Sequence, residues 1–218
     1  MALSKVDFNN INVTPAASKA LKWNSSANGF ETGDLDGSMI LLSTATASSS
    51  ATIDFTSGID STYKEYIFKF IDIHPATDSQ NFEFQVDTGT NTNYNQTITS
   101  SVFRAYHDEA DSATALEYNS GVDQAQGTGF QDITDGVGNG NDESAAGTLH
   151  LFNPSSTTFV KHFMSTMTDY NGNNFNIVVN TAGYINTTTA ITRIRFKFGS
   201  GNIDAGTIKM YGVGPKQS

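Results

Sequence analysis

Residues 80–87 read QNFEFQVD, with Phe82, Phe84 and Val86 alternating with Asn81, Glu83, Gln85 and Asp87. Successive side chains of a β-strand point to opposite faces, so this period of two predicts a half-buried strand with one face in a core and the other in water. The same alternation governs TRIRFKFGS at residues 192–200, where Ile194, Phe196 and Phe198 oppose Arg193, Arg195 and Lys197. Both stretches are the pattern of an antiparallel sheet with one wet face. Just upstream, YKEYIFKFIDIH (residues 63–74) is apolar in both phases, Tyr66, Phe68 and Phe70 against Ile67, Ile71 and Ile73, which predicts a central strand covered on both sides. Phe68 and Phe70 with Phe82 and Phe84 then read as inward residues of an antiparallel pair joined by residues 75–80. Asp72, His74 and Asp78 fall at the strand end and its turn, where short polar side chains satisfy free backbone groups.

Further strands are predicted at residues 39–47, 51–56, 97–107, 147–152, 157–168, 175–186 and 207–213. Between them lie SGIDS, DTGTN, NPSS, DYNGNN and GSGN, rich in residues that tolerate tight or left-handed turns. About ten short strands so punctuated predict an all-β fold, an antiparallel β-sandwich or jelly-roll-like single domain over residues 38–218. HDEADSATALEY, residues 107–118, reads as the one short helix: Ala110, Ala113 and Leu116 share a helical face and Asp108 or Asp111 can cap it. A Gly-, Asn- and Asp-rich insertion follows at about residues 119–146; loops of that length are functional or mobile, which marks it as a surface that meets a neighbouring subunit or a ligand. Residues 1–37 carry few large apolar side chains and no period, and read as an extended N-terminal arm. Phe8, Trp23 and Phe30 are its candidate anchors, in a partner's groove or on the protein's own body.

The 218 residues carry 12 Lys and Arg against 22 Asp and Glu, a net charge of −10, and no cysteine. That field repels phosphate backbones and argues against nucleic-acid binding. The absence of cysteine excludes disulfides and thiolate metal sites and suits assembly in a reducing cytoplasm. No apolar run approaches the ~18 residues of a membrane span, and the N-terminus has no secretory h-region, so no membrane partner is expected.

Chemistry is thinly signalled. No G-x-S-x-G nucleophile motif occurs, and nothing pairs Asp72, Glu83 or Asp87 as a glycosidase would need. The clusters GDLDGS (33–38) and GNGNDES (138–144) could offer oxygen ligands to calcium, with Asp34 and Asp36 as weak candidates. They lack the later ligands of an EF-hand loop and read first as turn formers. His74, His107, His150 and His162 show no metal-ligand spacing, and no cofactor is expected. Most of the 15 Phe fall on inward phases. Tyr94, Tyr106, Tyr118, Tyr170 and Tyr184 lie near turns or strand ends, where they could stack on a sugar or contact another subunit.

The wording of GDLDGSMILLSTATASSSATIDFTSGIDSTYKEYIFKFIDIHPATDSQNFEFQV, FRAYHDEADSATALEYNS, AAGTLHLFNPSSTTFVKHF and TAGYINTTTAITRIRFKFGSGNIDAGTIKMYGVG resembles virion structural proteins of tailed bacteriophages, notably those of marine bacteria and cyanobacteria. The likeness spans roughly residues 33–214, with GTIKMYG (206–212) and LFNPSSTT (151–158) as the recurring scaffold pieces. It implies a non-enzymatic capsid decoration or head-fibre protein of the virion, assembled in the host cytoplasm and bound to other virion proteins. The opening MALSKVD is similar to the start of short phage fibre or head-surface proteins and implies attachment through the arm. Cyclic closure, which hides sheet edges, favours a homotrimer. The alternative is a tail-fibre-like adhesin that binds host surface carbohydrate; a glycan hydrolase is the third reading.

Overall fold

The computed structural model describes residues 20–24, 26, 28–33 and 39–214. They form fifteen strands: β1 (Ala20–Trp23), β2 (Phe30–Gly33), β3 (Met39–Thr46), β4 (Ile53–Phe55), β5 (Glu65–Pro75), β6 (Phe82–Thr88), β7 (Ile98–Asp108), β8 (Thr114–Tyr118), β9 (Ala125–Gly127), β10 (Gln131–Asp132), β11 (Ala145–Phe152), β12 (Lys161–Tyr170), β13 (Phe175–Ile185), β14 (Ile191–Phe198) and β15 (Ile203–Val213). The protein is all-β, and no helix occurs among the described residues. The chain divides into two compact units, Met1–Ser38 and Met39–Ser218.

In the second unit a nine-stranded sheet, ordered β3-β15-β5-β11-β12-β13-β7-β8 with β9 also on β7, faces a four-stranded sheet, β10-β6-β14-β4. Every pairing is antiparallel. The core between them is aromatic. Phe68 and Phe70 of β5 meet the Phe196 ring of β14 at centroid distances of 5.4 and 5.2 Å, Phe70 meets Phe82 of β6 at 5.4 Å, and Phe84 meets Phe163 of β12 at 5.1 Å. All six rings are at most 2% exposed.

Phe68, Phe70, Phe82 and Phe84 are therefore inward, as their phase requires, but β5 and β6 are not a hairpin pair. Residues 75–80 carry the chain from the large sheet to the small one, and the rings meet across the sandwich. The outward phase of β5 also differs from expectation: Ile71 is 40% exposed, so β5 is central in its sheet but covered on one side only. Two register shifts on β15 sit beside residues 72–74, where Asp72 has φ +51°. Gly206 opposes them at φ +119°, and a Cβ there would lie 2.6 Å from the Asp72 carbonyl oxygen, so the close approach requires glycine.

β6 departs from the half-wet pattern for a different reason. Gln85 and Asp87 are fully buried beside Phe84 and Val86. The outer side of the small sheet is roofed by chain that satisfies them: Gln85 Nε2 donates to the carbonyls of Gln96 (3.0 Å) and Gly129 (2.7 Å), and Asp87 accepts from the Tyr94 amide at 2.9 Å. Buried polar groups cost free energy unless they are hydrogen-bonded, so a polar phase can be internal when loops close over it.

The helix expected at residues 107–118 is absent. β7 runs through Asp108, a tight turn follows, and β8 returns beside it with Leu116 opposite Ala105 and Tyr118 opposite Phe103. Asp108 does cap backbone amides, but those of a turn: its Oδ1 accepts from Ser112 N and Ala113 N, both at 2.8 Å. The hydrogen bond from the Ser112 hydroxyl, and then these backbone bonds, hold its carboxyl below the usual carboxylate range. Much of the insertion is spent as cover. It contributes β9 and β10, and Val122 packs on a second core of Val102, Ile177 and Val179. Ser100 Oγ donates to Gln131 Oε1 at 2.6 Å, which ties the insertion to β7.

Of the first unit, β1 and β2 form an antiparallel hairpin, Trp23 opposite Phe30, where the sequence predicts an extended arm. Asn24 N donates to the Gly29 carbonyl at 3.0 Å and closes the connection.

Candidate interaction surface

The outer face of the nine-stranded sheet carries several of the body's exposed apolar side chains. Register places Leu116, Ala105 and Val178 in one row across β8, β7 and β13, and Tyr118 and Phe103 in the next. Leu116, Tyr118 and Phe103 are 73%, 56% and 48% exposed. A groove of about 430 Å³ lies at the Leu116 end of this surface, lined by Ala105, His107, Thr114, Leu116, Asn176 and Val178. Contiguous exposed apolar side chains rimmed by polar ones mark contact surfaces. Toward the middle of the sheet the face becomes a polar lattice, in which the hydroxyls of Thr166 and Thr168 donate to the side-chain oxygens of Asn180 and Asn176 at 3.0 Å each.

The tyrosines singled out by sequence do not form one site. Tyr118 belongs to the patch, and its hydroxyl donates to Asp123, which raises its pKa. Tyr170 and Tyr184 lie on the same outer face, but Tyr170 pairs with Asn176 and Tyr184 lies eight residues along β13, about 27 Å away at 3.4 Å per residue. Tyr94 is contrary to expectation: it is 2% exposed, beneath the Arg195 guanidinium at 4.1 Å, and burial raises its pKa. It anchors the roof over the small sheet through its amide bond to Asp87. Tyr106 packs against Phe175 at 5.6 Å. Phe103 was not singled out because most Phe read as inward, although its phase, shared with Ala105 and His107, is opposite to that of Val102.

On the hairpin, Trp23 and Phe30 are stacked at 4.5 Å and remain 61% and 40% exposed, with Leu21 at 39%. Phe8, Asp34 and Asp36 lie outside the described residues.

The acid and histidine cluster of residues 72–78 helps seat the insertion. His74 Nε2 lies 3.1 Å from the Gly140 carbonyl oxygen, and Asp78 Oδ1 accepts from Asn139 N at 3.3 Å. Asp72, His74, Asp142, Glu143 and Asp204 line a polar cleft of about 390 Å³. Among the described residues no group of three or more His, Asp and Glu side chains has metal-holding geometry.

Two carboxylates unpaired in the sequence are brought together: Glu83 and Asp132 are direct partners in the β6–β10 register. Burial, then the Glu83 charge, raises the Asp132 pKa, while Lys197 Nζ holds Glu83 at 2.5 Å. Lys197 Nζ also lies 4.8 Å from the Phe130 ring centroid. Deeper, Asp169 is 2% exposed; its Oδ1 accepts from Asp135 N at 3.4 Å and its Oδ2 has no partner among the described residues. Burial pushes its pKa up to about 7. Arg104 spans the neighbouring acids, bound to Asp135 and to Glu117 with Nε at 2.8 Å.

Comparison of the chain with protein-family models, with curated proteins and with solved structures gives no match.

Proposed function

We propose that the chain is a non-enzymatic structural protein of a tailed-phage virion, displayed on the particle surface as a capsid decoration or head-fibre component and fastened to other virion proteins through its N-terminal unit. The observation that carries the reading is the contrast between the two units. The body closes its own aromatic core, whereas the hairpin holds Leu21, Trp23 and Phe30 out to solvent. A lone two-stranded hairpin is marginal in water and gains stability only by packing on something else. The resemblance of residues 33–214 to virion proteins gives that partner its class. Removal of residues 1–38 is expected to leave a folded, soluble body that no longer joins particles, measured by co-sedimentation with particles lacking the native protein. A body that still incorporates would sink the anchoring reading.

One observation favours a second reading, a tail-fibre-like adhesin for host surface carbohydrate: Tyr118 and Phe103 stand side by side and exposed on the outer face. Aromatic faces of this kind stack on sugar rings. On that reading Tyr118→Ala weakens binding to host polysaccharide at least tenfold with an unchanged melting temperature. Native protein that binds no host polysaccharide would count against it.

A further inference from the structure

The ends of the two body sheets are not alike. The small sheet ends on β10 and β4, two and three residues long. The large sheet ends on one side at β8, five residues long, whose Glu117 is held by Arg104. Short strands and charges are how sheets keep their edges from pairing with other chains. The opposite end, β3, has neither device: it is eight residues long, MILLSTAT, with no charge and no proline. Among the described residues its only ladder runs to β15, so backbone groups on its other side face away from the sheet. One register shift, beside Met210 and Tyr211, bends the strand without adding charge. Met39 and Leu41 stand 42% and 51% exposed along it.

A row of free N–H and C=O groups is satisfied in register by another extended backbone. We propose that β3 is an association edge whose occupant is β3 of a second copy of this chain, paired antiparallel about a two-fold axis so that the two large sheets become one. Two features select the second copy. An uncharged strand meets its own copy with no like-charge contact along the ladder, in a chain whose net charge of −10 otherwise drives copies apart. Antiparallel pairing of identical edges is also self-complementary and closes without leaving a free end, as the commonest oligomers do. The contact yields two copies, not the three of the ring expected from the sequence, and it stands whether or not the chain belongs to a virion.

The test is sedimentation of the full chain across a concentration series, with hydrogen exchange of the β3 amides followed in parallel. The native chain is expected to sediment as two copies, with β3 exchange slowing as concentration rises. Leu41→Lys and, separately, Thr44→Lys place a charge on the edge and are expected to weaken association at least tenfold and to abolish the concentration dependence. Both positions are exposed, so the melting temperature of the dissociated chain serves as the folding control. A native chain that stays single at all concentrations, that forms three copies or open-ended aggregates, or that forms a pair unaffected by both lysines overturns the proposal.

Discussion

Asp169→Asn is expected to be more stable than the native protein at pH 8 and no more stable at pH 5. Asp169 is buried with one carboxylate oxygen unpartnered, and its pKa is about 7 in the folded chain against 3.8 for the free side chain. Between those two values the folded state binds more protons than the unfolded state, so stability falls as pH rises through that window and levels off above it. A shift of about three pH units corresponds to roughly 4 kcal/mol. Asparagine is never charged there, but it brings an NH2 group that must find an acceptor, at a cost of about 1–3 kcal/mol. The net gain at pH 8 is therefore about 2 kcal/mol, or some 4–8 °C in melting temperature for a chain of this size. Urea melts at both pH values measure it. Asp132 carries a rise of the same sign, so part of the native pH slope is expected to survive in the variant. A variant with the full native slope would show that Asp169 is not the group responsible.

Phe196→Ala is expected to cost about 3–5 kcal/mol, the usual penalty for removing a fully buried ring. Phe196 is fully buried and touches Phe55, Phe68, Phe70 and Phe82, so it joins β14 to its own sheet and to β5 of the facing one. Against a total of about 5–15 kcal/mol the loss is large, and the melting temperature should drop by about 10–15 °C at either pH. Phe196→Leu keeps most of the volume and should lose well under half as much. An alanine variant that melts within a few degrees of native would mean that the sheets are held together elsewhere.

The phase of each ring was legible in the sequence, and its partner was not. Phe82 and Phe196 alternate with polar residues, which states that they point inward, but only the crossing of residues 75–80 between sheets decides that Phe70 faces Phe82 across a sandwich. Gln85, Asp87 and Tyr94 illustrate the converse: polar phase marked the first two as outward and a place near a turn marked the third, and a roof of distant chain buried them. Asp108, offered with Asp111 as the cap of a helix, instead accepts the amides of a turn, because Ala110, Ala113 and Leu116 satisfy a helical spacing over too few residues to outweigh a hairpin. The patch of Phe103, Leu116 and Tyr118 was hidden for the same reason, since it exists only once β8 folds back on β7. Trp23 and Phe30 were singled out because they are large aromatics in a segment with no core of its own, and both are exposed.

The last two strands of the chain also set the order in which it can be completed. β14 lies between β6 and β4, and β15 lies between β5 and β3. Neither sheet is continuous until these strands arrive, so a chain emerging from the ribosome holds the facing edges of β3, β4, β5 and β6 open until residues 191–213 have been made. Such non-local pairing is slow, and transiently open strands are prone to pair wrongly. The vulnerable interval is thus the one before β14 and β15 emerge, and a chain cut short before β14 would lose at once the strand that holds β4 to β6 and the strand that holds β3 to β5.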